Sequence, residues 1–116
     1  MSEILEKLSS KKIVIAMGDG VSKEKLRLLD AKAQVYDPHI WFDVALWKEA
    51  VAAMAKTLAS KQPTLAAAIN KNSKSYLRQL DSLHIEVKAN MARIPKAQRV
   101  LITAHDAFGY FGLAYD

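Results

Sequence analysis

Two histidines, His39 and His105, stand where this sequence could do chemistry. His39 follows a proline in Tyr36-Asp37-Pro38-His39-Ile40-Trp41, a loop that feeds a helix. His105 directly follows the apolar run Arg99 to Ala104 and precedes an aromatic-rich stretch. A neutral imidazole is the commonest metal ligand in proteins. Open parallel sheets bind ligands at the carboxyl ends of their strands, which is where His105 would lie. The pair is therefore a candidate metal centre, but not a whole one. Zinc usually takes four protein ligands, or three and a water. On spacing alone, the commoner role of a histidine near a strand end is that of a polar residue with one hydrogen-bond partner.

The neighbouring residues have plainer readings. Asp37, Asp43 and Asp106 read as turn and capping residues rather than ligands. His84, inside a long helix and beside its apolar stripe, reads as a surface or flanking residue. Trp41, Trp47, Phe108 and Tyr110 read as packing, with Trp41 close enough to His39 to shape a site wall. A small hydrolase using His105 and Asp106 has little behind it, because adjacent side chains need not face each other. No serine sits in a nucleophile context. Gly18-Asp19-Gly20 is a turn, not a phosphate-binding loop. The chain is not read as an enzyme. It has no cysteine, so thiolate ligands and disulfides are excluded.

Several elements must position the two histidines. Ser2 to Ser9 reads as a short helix with Ile4, Leu5 and Leu8 on one face. Lys12 to Met17 reads as a strand buried on both faces, as in a parallel sheet. Residues 22–29 can form helical turns with Ser22 as cap, and residues 30–42 read as irregular. A helix from Asp43 to Lys61 carries the stripe Trp47, Val51, Met54 and Leu58, and Gln62-Pro63 breaks it. A second helix from Pro63 to Arg93 carries Leu65, Ile69, Tyr76, Leu80, Leu83, Val87, Met91 and Ile94. Together they predict an antiparallel helical hairpin. Arg99 to Ala104 reads as a second buried strand, and residues 107–115 as a final helix capped by Asp106. The order predicts an α/β fold with a partial parallel sheet of about two strands and a long helical hairpin. Two strands are few for a sheet. Exposed edges would invite pairing with a second copy, which would also bring two histidine pairs together.

Bulk properties narrow the function classes. The 116 residues make one ordinary domain, half apolar and a quarter charged. The net charge of +5 is spread along the chain rather than gathered beside aromatics, so nucleic-acid binding is not expected. No apolar run is long enough to span a membrane. The acidic start Met1-Ser2-Glu3 lacks the basic and apolar regions of a signal peptide. That leaves a cytosolic chain, or one that starts downstream of its real beginning.

The segment Asp37-Pro38-His39-Ile40-Trp41-Phe42-Asp43-Val44 resembles the Asp-Pro-His-x-Trp motif of the zinc and manganese solute-binding proteins of ABC importers. Leu101-Ile102-Thr103-Ala104-His105-Asp106-Ala107-Phe108 resembles that family's second motif, a strand ending in Thr-x-His before an aromatic helix. The helical hairpin between them is similar in length and character. The resemblance implies a receptor of two α/β lobes joined by a long helix, with one ion held between the lobes. Its site has three histidines, or two and a glutamate, plus an acidic residue from the second lobe. Motif by motif, His39 and His105 match two of those ligands. A histidine rather than a carboxylate at 105 leans towards zinc, with manganese as the alternative. The resemblance further implies a periplasmic or cell-surface place and a membrane permease as partner. Residues 1–116 would be part of the N-terminal metal-binding lobe, without its first histidine, the connecting helix or the second lobe. The expected ion binding is accordingly weak. The other reading is a structural or interaction module with no working metal site.

Overall fold

Asp43 starts the central helix by accepting at one carboxylate oxygen from the backbone N–H groups of Ala45 (2.8 Å) and Leu46 (3.3 Å). The helix it caps, α2, runs Val44–Lys61. It ends at Gln62, before a proline that has no N–H to continue the ladder. A 3-10 turn at Pro63–Leu65 reverses the chain into α3, Ala66–Ala92. An ion pair joins Lys48 to Asp81, positions similarly far from Pro63 on either side, so the two helices run antiparallel. The computed structural model describes residues 3–116; Met1, Ser2 and the side chains of Glu3, Ile4 and Glu6 lie outside the described residues. A short helix α1, Glu3–Ser9, precedes the rest, with Leu5 and Leu8 exposed. The final helix α4 spans Gly109–Tyr115.

Two apolar clusters form the core. One gathers Val21, Ile40, Leu46, Ala50 and Tyr110, the other Val44, Val51, Leu80 and Tyr115. α2 contributes to both, and so does α4, through one tyrosine each. Gly20 closes the first cluster from below. A Cβ there would come within 2.6 Å of the Ala53 Cβ and 3.3 Å of the Ala50 Cα, so the turn Met17–Gly20 can rest on α2 only without a side chain. The hairpin predicted from the apolar stripes is present, but its buried face is narrower than the stripes. On α3 only Leu80 is buried; Tyr76 and Leu83 are exposed, as are Leu65 and Ile94 just beyond its two ends.

The strands lie elsewhere than the sequence predicts. The described residues hold one antiparallel pair, β1 (Leu28–Asp30) and β2 (Val35–Tyr36). It sits where helical turns and irregular chain are expected. Local turn chemistry builds it. Asp30 accepts from the N–H groups of Lys32 and Ala33, and Gln34 takes a left-handed φ of 52°. The two predicted parallel strands, 12–17 and 99–104, are not strands. Residues 13–16 run without a ladder into the 3-10 turn, and 99–103 run irregularly, with Ile102 89% exposed. β-branched residues favour a pleated surface, but a strand also needs a neighbouring backbone to exchange hydrogen bonds. Among the described residues neither run has one. The edge-pairing argument for a second copy loses its footing with them. Asp106 does not cap α4 either, whose first turn follows Phe108 with no side-chain cap.

Candidate metal centre

Asp37 anchors the centre. It is 2% exposed, and both carboxylate oxygens are occupied. Oδ1 accepts from the His39 backbone N–H at 3.0 Å and from His39 Nδ1 at 2.6 Å. Oδ2 accepts from Arg27 Nη1 at 2.6 Å. Burial pushes the Asp37 carboxyl up. The two His39 hydrogen bonds, with the His39 and Arg27 charges, outweigh that and hold it below the ordinary carboxylate value. An ionised Asp37 requires the His39 proton to sit on Nδ1. In the neutral ring the Nε2 lone pair is then free, as in the carboxylate–histidine pairs behind bound metals.

His105 meets that lone pair. Its Nε2 lies 3.3 Å from His39 Nε2, with ring centroids 5.2 Å apart and planes at 75°. Two imidazole nitrogens bound to one tetrahedral zinc stand about 3.3 Å apart. The two nitrogens are within hydrogen-bond distance of each other. Trp41 stacks edge-on against His39 at 5.3 Å and forms a wall, as its position in the sequence predicts. The His105 loop is tied by its own carbonyl, which accepts from Thr103 Oγ1 and the Ala107 N–H. No third His, Cys, Asp or Glu joins the pair in a metal-holding group among the described residues.

α4 fixes one histidine loop against the other. Its Tyr110 hydroxyl donates to the Asp37 carbonyl (3.0 Å) and accepts from the Arg27 N–H (2.9 Å). Its Tyr115 hydroxyl accepts from the Val44 N–H and meets His84 Nδ1, each at 3.2 Å. His84 is thus a half-buried residue flanking the helix contact, with Tyr115 as its partner. Burial raises both phenols above their ordinary value. A raised folded-state value means the folded chain holds those protons more tightly. Their stabilisation is full below the unfolded value near pH 10 and is lost as pH rises through the folded values. A thermal-melt series from pH 7 to 11 should show Tm falling only in its alkaline part, and falling less in Tyr115→Phe.

The two candidate ligands named from the sequence, His39 and His105, lie side by side, and Asp43 caps α2 as predicted. Sequence reasoning treats Asp37 as a turn residue, which is half its role, since one oxygen serves both the turn and the imidazole. The triplet Asp37-Pro38-His39 carries a signal for this, because an aspartate commonly bonds the backbone two residues on. Arg27 and the Tyr110 hydroxyl carry none. No hydrogen bond joins His105 to Asp106 among the described residues, so the hydrolase pairing has no geometry behind it.

A family model described as zinc-uptake complex component A, periplasmic, matches residues 1–116. The chain belongs to this family. It is 37% identical to the zinc-binding protein TroA of Treponema pallidum and 36% identical to the manganese-binding lipoprotein MntA of Bacillus subtilis. Each match covers 99% of this chain and 37% of the relative, so the chain spans well under half the length of either. The solved structure of the periplasmic zinc-binding protein TroA from Treponema pallidum superposes with a TM-score of 0.88 at 36% identity, over 99% of this chain and 41% of that one. A crystal structure of ZnuA gives 0.78 at 29% identity, over 96% and 42%. The sequence resemblance and the fold class it implied are therefore upheld. Within that fold the placement and direction of the strands and the cap of α4 are corrected.

Proposed function

We propose that this chain presents two of the ligands of a divalent transition-metal site, His39 and His105, within the metal-binding lobe of a zinc-uptake receptor. The ion is cargo. The remaining ligands come from outside this chain. The receptor works in the periplasm or at the cell surface and passes the ion to the permease of an ABC importer. Zinc is the preferred cargo and manganese the alternative, matching the relatives that carry one or the other metal in their names. The observation behind this reading is the 3.3 Å approach of two Nε2 atoms, one of them backed by a buried carboxylate. Two imidazoles favour zinc over manganese, because nitrogen ligands suit zinc and oxygen ligands suit manganese.

Half of the free energy of a four-ligand structural zinc site corresponds to a Kd of roughly 1–200 µM. Calorimetric titration of the chain with zinc, manganese and magnesium should give zinc binding in that range, weaker manganese binding and no magnesium binding. Equal affinity for zinc and magnesium would sink the reading, since magnesium does not seek imidazole.

A further inference from the structure

We propose that Arg27 is a positioning residue for the ion site, acting on His39 through Asp37, and that Gly109 is the opening through which it reaches. This deepens the proposed function and rests on it.

The useful nitrogen of His39 is Nε2, and its lone pair exists only while the proton stays on Nδ1. The hydrogen bond made by the other nitrogen sets the tautomer. Here that bond goes to Asp37 Oδ1, so the rotation of the Asp37 carboxylate matters. Oδ2 has one side-chain partner, Arg27 Nη1 at 2.6 Å. That contact spans ten residues and crosses the hairpin containing β1 and β2. Arg27 is itself held at two backbone atoms by the site. Its N–H donates to the Tyr110 hydroxyl and its carbonyl accepts from the Asp37 N–H at 2.9 Å. Its guanidinium carbon stands 6.0 Å from the Tyr110 ring centre.

The guanidinium lies where a side chain at 109 would be. A Cβ built on Gly109 would collide with Arg27 Nη1, Cζ and Nε. Gly109 does not take a positive φ, so its backbone does not demand glycine. What it supplies is room. The atoms in the way belong to the end of a flexible side chain, so alanine at 109 would displace Arg27 and leave the helix start intact. Two substitutions far apart in sequence therefore break the same contact by different means.

The test uses Arg27→Met, Gly109→Ala and the double variant. Far-UV circular dichroism and Tm check the fold. The 15N shifts of the His39 ring, read without metal at neutral pH, report the tautomer, and zinc calorimetry reports affinity. The parent chain should show the proton on Nδ1. Each single variant should lose that preference and bind zinc about tenfold more weakly, the lower end for a group supporting a metal-bound histidine. The double variant should be no weaker than the worse single one, because both remove one interaction. Unchanged ring shifts or unchanged affinity in either single variant would overturn the proposal, as would additive losses. Zinc binding by the parent chain that survives His39→Ala is a separate result. It overturns the ion-site reading, and the role of Arg27 with it, whatever the ring shifts are.

Discussion

His105→Ala should weaken zinc binding about 100-fold and leave the fold unchanged. Sharing the free energy of a structural zinc site among four ligands gives roughly 3 kcal/mol per ligand, or about two decades in Kd. His105 is exposed, and its ring meets His39 and nothing in the core. Its loss therefore removes a ligand without opening a cavity, and Tm should stay within a degree or two. His39→Ala should cost as much in affinity and more in stability. Asp37 is buried, and that substitution takes away the 2.6 Å donor to one of its oxygens. The two variants thus separate ligand loss from structural damage. Calorimetry with a parallel melt decides the matter. If His105→Ala keeps the parent Kd, the 3.3 Å pair is only a hydrogen-bonded pair of histidines.

The juxtaposition of the two candidate histidines was more legible in the sequence than the scaffold around them, and the reason is locality. Asp37-Pro38-His39 and Thr103-Ala104-His105 are short motifs whose residue types carry their chemistry. The Asp43 cap and the break at Pro63 are equally local, and α2 and α3 begin and end close to where they were expected. Strands are not local. The run Arg99 to Ala104 has the composition of a buried strand, yet Val100, Leu101 and Ile102 are 75%, 59% and 89% exposed. Composition reports an apolar run but not the neighbouring backbone that a ladder requires. The real pair, β1 and β2, was missed because its signal was a turn, with Asp30 bonding its own loop. The link from Arg27 to Asp37 to His39 was invisible for a third reason. It depends on Gly109 arriving from the far end of the chain, and no periodicity reports the absence of a side chain.

Tyr110 is where fold and site should fail together. It is 1% exposed and its hydroxyl satisfies two backbone groups from different segments, the Arg27 N–H and the Asp37 carbonyl. Tyr110→Ala should cost about 4 kcal/mol, the scale of deleting a buried aromatic ring. A domain with only about 5–15 kcal/mol in total would be left close to unfolding. Tyr110→Phe is the sharper experiment. The ring stays, so the core cluster with Val21, Ile40, Leu46 and Ala50 keeps its packing. The buried Asp37 carbonyl and the part-buried Arg27 N–H each lose a partner, at a cost of about 1–3 kcal/mol. Tyr76→Phe serves as the control, since Tyr76 is 43% exposed and its hydroxyl can bond water instead. Urea denaturation should show Tyr110→Phe well below the parent and Tyr76→Phe level with it. If the two phenylalanine variants are equally stable, the hydroxyl is a bystander and α4 is held by its rings alone. If Tyr110→Phe is the weaker, the Tyr110 oxygen helps pin the loop carrying His39 to α4, beside the ring packing. The spacing of the two histidines then rests in part on that contact.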